Sequence, residues 1–303
     1  MADPLPAPPL NTPPLNQDTP RGFAFALTAY LLWGFLPLYM KAVAHIPPVE
    51  VIAHRVLWSI PIAGAVLVIL GRTGDLRRAI LNPRMLAMAA VTAALISVNW
   101  GIYVWAIGAG RALDTALGYY INPLFSVALG AILLNERLTR WQLAAIGLAV
   151  AAVGVLTWEA GGLPWVALAL MLSWGFYAFF RKTLPIGPNQ GFMLEVLILA
   201  PFALAYVVWA EGTGAGHFRG AWDVALLLGC GVVTAGPLMI YANGAKLLRL
   251  STIGMMQYIA PTMIFLQAVF LFGEQFGPVK FMAFGMIWAA LALYTFEMVR
   301  MRR

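Results

Sequence analysis

Ten windows of almost uninterrupted apolar sequence decide what this chain can fold into. They fall at about residues 22–40, 49–70, 85–108, 112–134, 141–157, 163–180, 190–210, 222–243, 250–272 and 279–298. About twenty apolar residues is the length a helix needs to cross a hydrocarbon core. The windows therefore predict an all-α polytopic membrane protein with ten transmembrane helices. With 62% hydrophobic and only 10% charged residues in 303, the soluble globular class is excluded. A β-barrel would show alternating segments of about ten residues, which this chain lacks.

The proline-rich start, MADPLPAPPLNTPPLNQDTP, has no helical period and reads as a disordered tail over residues 1–21. It lacks a basic start followed by an apolar stretch, so no cleavable signal peptide is expected. The net charge of +7 is not a nucleic-acid footprint, because of how it is distributed. With ten crossings, one side holds most of the basic residues, among them Arg72, Arg77, Arg78, Arg84, Arg140, Arg181, Lys182, Lys246 and Arg249. The other holds only Lys41, Arg111, Arg219 and Lys280. This bias predicts that both termini lie in the cytoplasm.

The two halves of the chain echo one another. Trp33-Gly34-Phe35 matches Trp174-Gly175-Phe176, Lys41 matches Lys182 and Pro47 matches Pro188 at one offset. Further on the offset shortens, and Tyr103 matches Tyr241, Arg111 matches Arg249, and Tyr120, Ile121 and Pro123 match Tyr258, Ile259 and Pro261. Glu136 matches Glu274 and Gly147 matches Gly285. Each copy holds five of the predicted helices, one at 22–158 and the other at 159–303. An odd number of crossings inverts the second copy, and inverted repeats are a common architecture of alternating-access transporters.

The polar residues within the windows point to a midplane pocket. GYYINP at 118–123 and MQYIAP at 256–261 place Tyr120, Asn122, Gln257 and Tyr258 beside the helix-breaking Pro123 and Pro261. A proline inside a helix frees the carbonyl four residues earlier, here that of Tyr119 or Gln257. In a bilayer such a group needs a protein partner or a watery cavity. A freed carbonyl beside a side-chain amide also suits a substrate ammonium group. Asn99, Trp100 and Tyr103 in the third helix correspond to Tyr241 and Asn243 in the eighth, and Trp174 and Tyr177 lie in the sixth. Aromatic faces near polar groups line pockets for flat or cationic solutes, although an Asn in a membrane helix also serves for helix–helix bonding.

Ionisable residues at depth are functional candidates. His54 and Arg55 lie near one end of the second helix, where snorkelling to the interface is an alternative open to Arg55. Glu195 takes the position corresponding to His54. Inversion sends the two to opposite ends, so they are expected not to pair, and gating or structural roles are expected for all three. Gly147 and Ala151, with Gly285 and Ala289, form small-residue stripes on the fifth and tenth helices that allow close packing.

The stretches EVIAHRVLWS (50–59), NWGIYVWAIGAGRALDTALGYYINPLFSVALGAILLNE (99–136), RLSTIGMMQYIAPT (249–262) and FGEQFGPVKFMAFGMIWAALALY (272–294) resemble the RarD branch of the EamA-type permeases. These belong to the drug/metabolite transporter superfamily. The resemblance implies a basket of ten helices, an inverted duplication and export of small metabolites. The amino-acid exporter YddG is among the relatives it implies, so amino acids are the expected substrate class. Chloramphenicol-like or other aromatic drugs are the rival class.

Two other classes have less to stand on. An intramembrane enzyme needs a nucleophile with a base, or paired acids, in one buried site. The chain offers three histidines (His45, His54 and His217), no GxSxG and no HExxH, so neither catalysis nor a cofactor or metal is expected. Nor is there a ring of carboxylates or a carbonyl filter for a channel. The expected partners are a small-molecule substrate and the lipid bilayer, with monomer and homodimer both open.

Overall fold

The computed structural model describes residues 19–133, 138–183, 186–245, 247–248, 252 and 256–300. The proline-rich start up to residue 18, Glu136, Arg249 and the last three residues lie outside them, as does the Lys182 side chain.

Among the described residues the secondary structure is helical. The helices are α1 (Pro20–Ala42), α2 (Pro48–Ile69), α3 (Thr73–Ile80), α4 (Pro83–Gly108), α5 (Ala112–Leu133) and α6 (Arg140–Ala160). They continue as α7 (Trp165–Thr183), α8 (Pro188–Thr213), α9 (Ala221–Ala245), α10 (Ile259–Leu266), a π-helical turn (Gln267–Leu271) and α11 (Pro278–Arg300). Eight are long and apolar enough to cross a membrane, and Trp165–Arg181 and Ile259–Leu271 are shorter apolar helices. Five helices open on proline (Pro20, Pro48, Pro83, Pro188 and Pro278). That position suits proline, because the first backbone N–H of a helix has no partner within it.

Three features depart from the sequence reading. The first helix begins at Pro20, where the Thr19 hydroxyl accepts the Gly22 amide at 3.0 Å and the Thr19 amide bonds the Leu247 carbonyl at 3.1 Å. Among the described residues, the window at 250–272 holds the short helix Ile259–Leu266 and a π turn, preceded by a turn at Gln257 and Tyr258. Pro261 therefore sits in the first turn of α10 rather than inside a longer helix, while Pro123 is internal to α5. The short amphipathic α3 was hidden because hydropathy windows detect only apolar stretches.

α1 packs on α9 and α10, and α7 on α4 and α5. α2 packs on α8 and α9, α4 on α8, α5 on α10, and α6 on α11. Glycines permit the closest approaches. A Cβ on Gly118 of α5 would lie 2.7 Å from the Ala167 carbonyl oxygen of α7. Gly34 is pressed by Met263 of α10, and Gly175 by the Phe125 ring of α5. α6 and α11 meet through buried residues such as Ala145, Ala149, Ala152, Ala283, Ile287 and Ala290. The predicted stripe is turned outward instead: Gly147, Ala151 and Ala289 are exposed, and a Cβ on Gly147 or Gly285 would meet nothing within 4 Å.

Candidate functional site

One end of the bundle is tied by contacts between its loops. Glu50 of α2 is 1% exposed and accepts the His217 amide at 2.6 Å, with His217 Nδ1 2.8 Å from its other oxygen. His45 meets Asp223 at 2.9 Å, and Lys41 lies over the Phe272 ring. Glu274 accepts the Ala112 and Leu113 amides at 2.6 and 2.9 Å, capping the start of α5. Burial pushes the Glu274 carboxyl above the ordinary carboxylate range, and the two amides pull it back. Arg111 stacks over Trp165. These contacts join the segments around residues 41–50, 111–114, 165, 217–223 and 272–274 at one end.

Beneath this end lies a cavity of about 610 Å³. Asn99, Trp100 and Tyr103 of α4, Asn122 of α5, and Trp174 and Tyr177 of α7 line it. Tyr241 of α9, Gln257 and Pro261 complete the sequence candidates on its wall. Residues not singled out from sequence as pocket residues also line it, including Tyr30, Trp33, Tyr119, Ser126, Arg181 and Asn189. The structure thus brings together side chains from most of the long helices.

Asn99 organises the wall. Its Nδ2 donates to the Leu170 carbonyl at 3.2 Å and to Ser173 Oγ at 3.0 Å, while its Oδ1 accepts the Tyr119 hydroxyl at 3.1 Å. One side chain therefore ties α4 to α7 and α5. Across the cavity, Tyr30, Trp33 and Tyr241 form a triangle of rings with centroids 5.4–5.7 Å apart. Trp174 meets Tyr177 at 5.6 Å. The wall thus alternates aromatic faces, which hold flat apolar groups, with amides and hydroxyls that fix orientation.

The remaining candidates lie elsewhere. Tyr120 and Tyr258 line a separate crevice of about 580 Å³ with Thr262 and Trp288, and the Tyr120 hydroxyl is 2.7 Å from Thr262 Oγ1. Consecutive helical residues are rotated by about 100°, so Tyr119 and Tyr120 cannot face the same space. Asn243 is exposed and donates to the Met239 carbonyl of its own helix at 2.8 Å. Pro123 is not on the central wall.

The ionisable candidates have separate partners. His54, 2% exposed, accepts from Trp58 Nε1 at 3.0 Å and stacks on Phe218 beneath the tied loops. Glu195, 1% exposed, lies 3.4 Å from Arg181 and accepts the Tyr177 hydroxyl at 3.2 Å. Arg55 does not snorkel. It is 3% exposed and lines the cavity, its Nε donating to Thr234 Oγ1 at 2.9 Å. Its guanidinium carbon stands 4.8 Å from the centre of the Trp100 ring.

The apolar helices and the polar and aromatic cavity they surround define a multi-pass membrane protein with an internal cavity. The chain belongs to the EamA-like transporter family, whose model matches twice, at residues 20–158 and 162–296. It is 40% identical to an uncharacterized transporter of Vibrio cholerae over 287 residues, covering 94% of this chain and 95% of that one. It is 37% identical to Protein RarD of Escherichia coli over 289 residues (95% and 98%). It is 33% identical to Chloramphenicol-sensitive protein RarD of Pseudomonas aeruginosa over 288 residues (93% and 96%). These relatives place it in the RarD branch of the drug/metabolite transporter superfamily, as a bacterial inner-membrane transporter. A crystal structure at 20% identity superposes with a TM-score of 0.60, over 93% of this chain and 99% of the other, which concerns the fold alone.

Proposed function

We propose that this transporter exports small metabolites, amino acids foremost, by alternating access between two inverted halves of five helices each. The observation that carries the reading is the central cavity, polar and aromatic by turns, lying beneath an end tied by its loops. Helix packing supports the inverted halves. If α1, α2, α9 and α10 exchange with α7, α8, α4 and α5, the pairing of α1 with α9 and α10 becomes that of α7 with α4 and α5. The pairing of α2 with α9 likewise becomes that of α8 with α4. The contact of Gly34 with Met263 maps onto that of Gly175 with Phe125. The basic bias puts both termini in the cytoplasm, so the tied end faces away from it. The conformation described is thus one closed to the outside.

Efflux of aromatic drugs is the second reading. The ring-lined wall favours it, and one relative is named for chloramphenicol sensitivity. Counterflow into proteoliposomes of the purified protein separates the two. Saturable exchange of labelled amino acids supports amino-acid export. Exchange absent for amino acids but present for aromatic drugs replaces it with the second reading. Exchange of neither class contradicts both.

A further inference from the structure

Arg55 carries a charge that nothing on its wall neutralises. Among the described residues no carboxylate lies within ion-pair distance of it. The ionisable groups that interact electrostatically with its guanidinium are the Cys230 thiol and the hydroxyls of Tyr103, Tyr119 and Tyr39. Its Nε is used by Thr234, whose own hydroxyl donates to the Cys230 carbonyl at 2.7 Å. That leaves Thr234 an acceptor toward Arg55 and fixes the guanidinium, with Trp100 stacked on it. Arg55 Nη1 and the Tyr103 hydroxyl are both buried without a hydrogen-bond partner among the described residues, and both residues line the cavity. The other cation on the wall, Arg181, is engaged by Glu195.

A buried, unpaired guanidinium is costly in a membrane protein and marks a solute path or a partner. A planar fork of donors held at fixed orientation matches a carboxylate. A phosphate dianion needs more positive charge than one guanidinium supplies. We infer that Arg55, assisted by the Tyr103 hydroxyl, is a substrate-binding residue that takes the carboxylate of the transported solute, so the cavity selects carboxylate-bearing aromatic or apolar molecules over their neutral amides and over cations. This rests on the reading of the cavity as the carrier site. It adds a substrate class: a monocarboxylate with an apolar body, for which an ammonium group is dispensable.

The test is binding to the purified full-length protein in detergent, read by tryptophan fluorescence, with 3-phenylpropionate, 3-phenylpropanamide and phenethylamine as probes. The three differ in charge but share a ring. A charge-assisted hydrogen bond predicts that the acid binds about tenfold to a hundredfold more tightly than the amide, and the amine more weakly still. Arg55→Gln removes the preference and Arg55→Lys restores part of it. Equal binding of acid and amide by the wild type overturns the assignment without any variant, and so does a preference that survives in a folded Arg55→Gln. Counterflow with the same probes separates the two claims. Selective binding of the acid without flux upholds the carboxylate site and removes the carrier reading. Flux without discrimination between acid and amide upholds the carrier and removes the site.

Discussion

Replacing Glu50 with Gln should open the tied end, and the lone cysteine offers a built-in reporter. Glu50 holds the loop before α9 through two contacts to His217, both at hydrogen-bond distance and both involving a buried carboxylate. Gln keeps the shape and one acceptor oxygen but loses the charge. Charge-assisted bonds contribute about 1.5–3 kcal/mol each, so the closed arrangement should lose roughly 2 kcal/mol. That corresponds to about a thirtyfold rise in the open population. Cys230, the chain's one cysteine, is fully buried on α9 beside Tyr39 and Arg55. Where opening is fast compared with modification, the rate of maleimide labelling follows the open population. Labelling of Glu50→Gln should therefore run about thirtyfold faster than wild type. Glu159→Gln, at an exposed position, serves as the control. Rates within twofold of wild type, in a folded and monodisperse variant, would refute the role given to the Glu50–His217 contact.

Four further outcomes are expected. Asn99→Ala breaks three bonds joining α4, α5 and α7. At about 0.6 kcal/mol per interhelical bond, it should destabilise the protein by roughly 2 kcal/mol, read as a lower melting temperature in micelles. Gly118→Val brings a side chain against the Ala167 backbone and should cost about 1–3 kcal/mol or more; an unchanged melting temperature would show that α5 and α7 can separate freely. Pro123→Ala should slow turnover more than it changes affinity, because it restores a backbone bond inside α5. Pro261→Ala should do less, because Pro261 lies in the first turn of α10, and equal rates for the two variants would contradict this asymmetry.

Most of the helical scaffold was legible in the sequence because burial in lipid demands long apolar runs, and hydropathy measures those directly. The break at Gln257–Tyr258 was not, since an apolar run reads the same whether its backbone is continuous or interrupted. Candidate wall residues stood out as polar or aromatic side chains at depth, as with Asn99 and Trp174. Their rotation did not, because helices apolar on every side carry no phase. The sequence alone therefore does not separate Tyr119, which faces the cavity, from Tyr120, which does not, nor does it show that Asn243 is turned outward. The inward direction of Arg55 was not legible for a related reason. Its nearness to a helix end allowed snorkelling, and only the packing of α2 against α9 and the Trp100 ring turns it inward.

The most direct measurement of whether the cavity is the route of transport uses a single cysteine on its wall. Ser126→Cys in a Cys230→Ser background places a thiol on that wall. Flux in proteoliposomes is then measured before and after modification by a bulky maleimide. Full modification should abolish counterflow, and saturating substrate should slow the labelling. Undiminished counterflow in the fully modified protein would show that substrate passes elsewhere.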